Sequence, residues 1–176
     1  MVAATVGSNI IPILPELFNR RQKKRQSSAC PELWALLDQV VDPEIPVISL
    51  WDLGVLQDII KEDQQINVVI TPTYSGCPAM FEMERDIVQT LSAAGYPSVA
   101  VETQLSPAWS TEMISAEGRQ QLFDYGISPP SVAKIIICPQ CSSKNTQLLS
   151  QFGSTACKAL YKCNDCLEPF DYFKCL

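Results

Sequence analysis

A chain of 176 residues, 47% apolar and 18% charged, can bury one ordinary core and carry a small appendix. A net charge of −6 and a pI near 4.6 argue against a fold-wide nucleic-acid footprint, which needs a basic surface. The lack of histidine removes the usual general base, the Ser-His and Cys-His pairs and every histidine metal site, so any metal must be held by thiolates or carboxylates.

The start, MVAATVGSNIIPILPELF, contains two prolines and places its charges after the apolar stretch, unlike a secretory signal. No apolar run is long enough to span a bilayer. The expectation is a cytoplasmic protein with reduced thiols, where paired cysteines mean metal or redox chemistry. Residues 1–28 read as a flexible basic leader. Arg20, Arg21, Lys23, Lys24 and Arg25 follow without an apolar period, which suits a solvated tail better than a docking arm.

Residues 29–130 read as one α+β unit. Pro31 opens a helix with an apolar stripe of Leu33, Trp34, Leu36, Leu37 and Val40. Pro43 and Pro46 in DPEIPV end it. Residues 53–73 read as two strands around a polar turn at 61–65, with Ile66, Val68 and Ile70 alternating. CPAMFEMERDIVQTLSAAG is the strongest helix. Pro78 sits at its start, Met80, Met83, Ile87, Val88 and Leu91 recur at helical spacing, and Gly95 stops it. SVAVETQL is a further strand, and SAEGRQQLFDYG a short helix that Gly126 ends. ISPPS at 127–131 reads as a stiff linker.

Residues 131–176 are too few to fold on hydrophobic burial alone, so a staple is expected. Cys138, Cys141, Cys163 and Cys166 form two Cys-x2-Cys pairs with 21 residues between them. Each pair places two sulfurs on one side of a tight turn, and four thiolates close a tetrahedron around zinc. AKIIICP, CKALYKC and PFDYFKCL supply strands, which makes a zinc ribbon with a structural ion. Free thiols or a dithiol switch is the other reading. Cys157 and Cys175 remain, either as buried thiols or as partners that exchange with a ribbon ligand.

Cys77 stands between a strand and a helix, in TPTYSGCPAM. Helix N-terminal amides favour a thiolate there. Asp42, Glu44 and Asp52 are candidate neighbours, and their charge opposes one. A reactive thiol and a capping cysteine without chemistry both fit. A nucleophile of hydrolysis does not, because no histidine serves it.

DPEIPVISLWDLGVLQDI, ITPTYSGCPAM and SPAWSTEMISAEGRQQL together resemble the small iron–sulfur-assembly domain family that includes SufT-type proteins. The ending CPQCSSKNTQLLSQFGSTACKALYKCNDCLEPFDYFKC is similar to the PaaD family of bacterial phenylacetate degradation. The resemblance covers roughly residues 30–176. It implies a small mixed sheet with helices, followed by a zinc ribbon. It implies a place with the phenylacetyl-CoA epoxidase system, whose reductase carries flavin and a [2Fe-2S] cluster. The family's DPE motif falls on Asp42, Pro43 and Glu44, and its reactive cysteine on Cys77.

The leading expectation is therefore an accessory protein without catalytic residues of its own. It would assist iron or iron–sulfur assembly, with structural zinc and transient iron or a cluster at Cys77. Its partners would be epoxidase components, above all the reductase, with neither nucleic acid nor membrane. A homodimer is compatible with the chain but not specified by it. The alternative is a non-catalytic structural subunit of the oxygenase. A nucleic-acid-binding ribbon is disfavoured, since from Lys134 onward five lysines face three acidic residues and there is no arginine.

Overall fold

The structure, a computed structural model, describes residues 16–131 and 135–174. The first half of the expected leader and Cys175 lie outside the described residues.

Alternating apolar residues build the central sheet. β3 (Leu56–Glu62) and β4 (Gln65–Ile70) form an antiparallel hairpin, and Ile66, Val68 and Ile70 are buried as the alternation requires. α4 (Met80–Ala93) crosses over and returns the chain to β5 (Val99–Thr103), which runs parallel to β4. The sheet order is β3-β4-β5, small and mixed. Met83, Ile87 and Leu91 of α4 are buried, whereas Val88, expected in the same stripe, is 37% exposed. α2 (Pro31–Leu37) adds Leu33, Trp34 and Leu37 to that core.

DPEIPV does more than end a helix. β1 (Val41–Asp42) and β2 (Ile45–Ser49) pair antiparallel across Pro43 and Glu44. α3 (Leu50–Leu53) follows, capped by Ser49, whose hydroxyl accepts from the Asp52 amide. Gly54 closes it at φ 86°, and a Cβ there would lie 2.6 Å from Met113 Cβ. α5 (Ala116–Asp124) is capped by Ser115, which accepts from the Gly118 amide and donates to Asp52 at 2.6 Å.

The expected linker carries a strand. β6 (Ile127–Ser128) pairs parallel with β9 (Pro169–Phe173), in a sheet of order β6-β9-β8-β7 with β8 (Lys158–Cys163) and β7 (Thr146–Ser150). Cys157 and Phe173 belong to the main core, and Phe173 meets Trp109 with ring centroids 5.9 Å apart. The ribbon is thus packed onto the first unit rather than held off by prolines. The strand expected at AKIIICP is not formed at residues 135–138, and the antiparallel partner of β8 comes instead from Thr146–Ser150.

The solvated reading of the leader is corrected for its described half. Glu16–Gln26 forms a helix, α1, which sinks Arg21 into the protein. The Arg21 guanidinium donates to the carbonyls of Met113 (2.6 Å), Trp51 (2.9 Å) and Leu56 (2.6 Å) and lies 4.2 Å over the Trp51 ring. Burial pushes it down to about 9, against the pull of Asp52, so the charge persists at neutral pH. Arg25 makes a two-pronged contact with Asp38 at 2.8 and 2.6 Å, and Lys24 reaches Asp58 at 2.6 Å. Within the basic run the cations dock, while Leu17 and Phe18 at the start of the same helix pack on the core.

Arg21→Ala is expected to cost about 2–4 kcal/mol, because it strands buried carbonyls. Arg20→Ala, which removes an exposed pair with Glu16, is expected to cost less than about 0.5 kcal/mol. Urea unfolding of the two variants checks this contrast.

Candidate functional site

Two groups of residues carry chemistry, one at each end of the ribbon's strands. At the outer end, two knuckles face each other. The Ser142 amide donates to the Cys138 carbonyl at 2.8 Å, and the Cys163 amide to the Glu168 carbonyl at 3.0 Å. Ser142 and Leu167 take positive φ of 60° and 69° to make these turns. Asp165 ties the knuckles together, accepting from Ser143 and from Asn145 (2.7 Å), and these donors hold its carboxyl below the usual range.

All four predicted sulfurs meet here, within 4.8 Å of one another. Cys138 lies 3.7 Å from Cys166, and Cys141 3.5 Å from Cys163. Sulfurs at about 2.3 Å from a central ion form a tetrahedron with edges of about 3.8 Å, so the set fits a closed four-thiolate metal site. The protons are unevenly shared. The Ser143 amide favours a Cys141 thiolate, but burial and the other three sulfurs prevail and push Cys141 up to about 12. The Cys166 amide leads in holding Cys163 down to about 7, against burial. Four sulfurs this close cannot all be charged without a cation among them.

The inner group surrounds Cys77. Its loop leaves β4 at Thr71, whose amide donates to the Val55 carbonyl at 2.8 Å, and turns where the Cys77 amide meets the Tyr74 carbonyl at 3.2 Å. α4 starts only at Met80, so Cys77 precedes the helix, and its sulfur accepts from the Ala79 amide. Asp42, at the end of β1, and Glu44, in the turn that follows, act on the Cys77 charge. Asp52, the third candidate, instead accepts from Ser49 and Ser115 at 2.6 Å each and serves the caps.

The electrostatics of this pocket oppose a free thiolate. Burial raises the Cys77 thiol, the Ala79 amide lowers it, and Glu44, Asp42 and Cys157 raise it further. The helix-start argument is outweighed. Asp42 is buried and its Oδ1 accepts from the Glu44 and Ile45 amides at 2.8 Å each, which closes the turn. Burial nevertheless raises the Asp42 carboxyl, with Glu44 adding to the effect and the buried Lys158 opposing it. The half-buried Glu44 carboxylate accepts no hydrogen bond from a described residue. Cys157 also acts on the Cys77 charge, Cys77 on that of Tyr74 and Lys158 on that of Asp42, and none of the three was singled out for this from the sequence. No spacing rule could have found them, because they come from a loop and from the far domain.

The Cys166→Ser variant is expected to lose the bound metal and to melt the ribbon, since metal binding is folding energy there. Because Phe173 and Cys157 lie in the main core, calorimetry should show one transition at lower temperature rather than an untouched first unit. A second expectation follows from Asp42. Its folded pKa is raised above the ordinary aspartate value of 3.8, so its ionisation costs stability that is present at low pH and lost as pH rises through the folded pKa. Asp42→Asn keeps an acceptor for both amides without the charge. It should be at least as stable as wild type at pH 8, with the advantage shrinking toward acid. Urea unfolding of both proteins from about pH 8 to about pH 4.5 tests this, since thiolate protonation is common to the two.

Comparison with known proteins agrees with this layout. A family model described as "Iron-sulfur cluster assembly protein" matches residues 31–103, and one described as "PaaD zinc beta ribbon domain" matches residues 127–174. A protein of Escherichia coli (strain K12) described as a subunit of 1,2-phenylacetyl-CoA epoxidase is 45% identical over 152 residues, 82% of this chain and 92% of that one. Among solved structures, a DUF59 domain from Bacillus anthracis is 23% identical with a TM-score of 0.49, over 59% of this chain and 95% of its own. A conserved hypothetical protein from Thermotoga maritima is 27% identical with a TM-score of 0.46, over 54% and 94%. With an assembly-type unit, a four-cysteine ribbon and this extent of identity, the chain belongs to the PaaD family of phenylacetyl-CoA epoxidase proteins.

Proposed function

We propose that this protein is an accessory factor that helps mature an iron or iron–sulfur centre of the phenylacetyl-CoA ring-1,2-epoxidase system. Cys77 holds or passes the iron cargo, with Glu44 beside it. The reading is carried by the turn that Asp42 closes at Glu44 and by Cys77, packed half-buried against the main core, where burial and the Glu44 and Asp42 carboxylates oppose its thiolate. Such a thiol is a poor nucleophile at neutral pH. An arriving cation reverses the balance, because it is attracted by the carboxylates and replaces the thiol proton, which leaves to solvent. Asp42 shapes the turn that presents Glu44.

On this reading the ribbon ion is zinc, closed off from exchange and structural. The client is the flavin- and [2Fe-2S]-carrying reductase, and the work is done in the cytoplasm. The chain itself performs no catalysis. The matched assembly-type model at residues 31–103 and the name of the E. coli relative support the reading. A non-catalytic structural subunit is the second reading. It is favoured by the exposed apolar residues Leu148, Leu149 and Phe152 on and beside the edge strand β7.

Cys77→Ala separates the two. The fold should survive within about 1–2 kcal/mol. Ribbon metal should be unchanged, since its ligands lie elsewhere. Epoxidation by cells carrying the variant should fall, and the reductase should be recovered with less iron. Wild-type activity and iron content would leave Cys77 as a packing residue and favour the structural subunit.

A further inference from the structure

The apolar side chain most exposed to water stands next to Cys77. Phe81, at 73%, is more exposed than any other large apolar residue among the described ones. The Met80 amide turns back to the Cys77 carbonyl at 3.5 Å, so Cys77 and Phe81 lie at the two ends of a single turn. Met83, Ile87 and Leu91 already give α4 its buried stripe, so packing within the chain does not account for Phe81.

A second exposed residue shares that edge. α4 carries the chain between the parallel strands β4 and β5, so the helix starts at the end of the sheet where β5 stops. The Thr103 hydroxyl donates to Glu84 at 3.2 Å, which fixes the end of β5 against the first turns of the helix. Val99 and Val101 pack on the core, and Thr103 and then Leu105 continue their face of the strand. The Gln104 amide extends the ladder to the Ile70 carbonyl at 2.8 Å, and its side chain donates to the Ser106 carbonyl at 2.7 Å, which holds the turn that carries Leu105. Phe81 lies one helical turn before Glu84, and Leu105, 61% exposed, lies two strand residues after Thr103. Both therefore stand beyond the same hydrogen bond, at the Cys77 end of the sheet.

The charge around this pair has one sign. Residues 71–110 carry Glu82, Glu84, Asp86 and Glu102 against one cation, Arg85, and Asp86 takes that guanidinium at 3.3 Å. Glu82, Glu84 and Glu102 form no ion pair with a described residue, and Glu84 accepts only from Thr103. We infer that Phe81 and Leu105, rimmed by these three carboxylates, are the docking surface for the client protein, whose matching face is an apolar hollow ringed by lysine or arginine. This deepens the maturation reading above and rests on it for the client's identity. An exposed aromatic inside a charged rim has the make-up of an interface anchor. Charge opposes a second copy as the occupant, because a two-fold contact here sets the same carboxylates against each other. The position also suits transfer, since a client seated on Phe81 lies within one turn of the thiol that passes the iron.

The test is a calorimetric titration of the full-length, zinc-loaded protein with the purified reductase, at low and at high salt. Wild type should bind, and more weakly as salt rises. Phe81→Ser should bind at least about 10-fold more weakly at either salt concentration. Glu82→Lys should bind more weakly at low salt and lose part of the salt dependence. Glu117→Lys, on α5, makes the same change in net charge and should bind as wild type does. Zinc content and melting temperature show that each variant is folded, and Leu105→Ser replaces Phe81→Ser if the latter is not. Folded Phe81→Ser and Glu82→Lys proteins that bind like wild type overturn the inference, while less iron in the reductase from Cys77→Ala cells still upholds the maturation reading. Loss of binding in Phe152→Ser instead moves the docking to the ribbon edge and overturns it. A wild type that binds no reductase, or that sediments as a dimer which Phe81→Ser dissociates, also overturns it, and the Cys77→Ala iron content then decides the maturation reading alone.

Discussion

The contact of Phe173 with Trp109 makes one core out of two units that follow each other in the chain. Phe173 is almost fully buried, and its strand β9 takes β6 as a parallel neighbour from the other side of the two prolines. A segment of this size cannot bury enough apolar surface alone. It has two sources of stability, the four-thiolate cluster at its outer end and the main core at its inner end. The same packing buries Cys157, just before β8, in the main core against which Cys77 also packs.

Electrostatics separate the two cysteine groups by kind. In the ribbon, sulfurs 3.5–3.7 Å apart compete for protons, and a central cation resolves the competition. At Cys77 the thiolate is opposed by burial and by the Glu44 and Asp42 carboxylates. The setting of Cys77 does not favour a nucleophile at neutral pH. The four ribbon sulfurs suit a metal ion. The absence of histidine from the whole chain is consistent with this division.

The basic run at Arg20–Arg25 shows how charge can hide a docked element. Apolar periodicity is the usual sign of a buried helix face, and α1 has little of it. Its docking combines Leu17 and Phe18, which pack on the core, with one guanidinium that satisfies three backbone carbonyls and lies on an indole ring. The partners are backbone atoms of Trp51, Leu56 and Met113, which no sequence pattern identifies. The β1–β2 hairpin was equally hidden, because strands of two and five residues interrupted by proline leave no alternation to read.

The sequence by itself determined the elements that repeat at a physical period and the ligands set by local turns. The β3–β4 hairpin, α4, α5 and the four ribbon cysteines were legible because each depends on neighbours a few residues away. The DPE turn and Cys77 were legible as motifs, and Asp42 and Glu44 as candidate neighbours of the thiol. Only the tertiary structure sank Arg21 and placed Cys157 and Phe173 of the ribbon in the main core. These contacts link residues tens of positions apart through shared burial. Shared burial leaves no period in the chain, so the fold had to be seen before the seam could be.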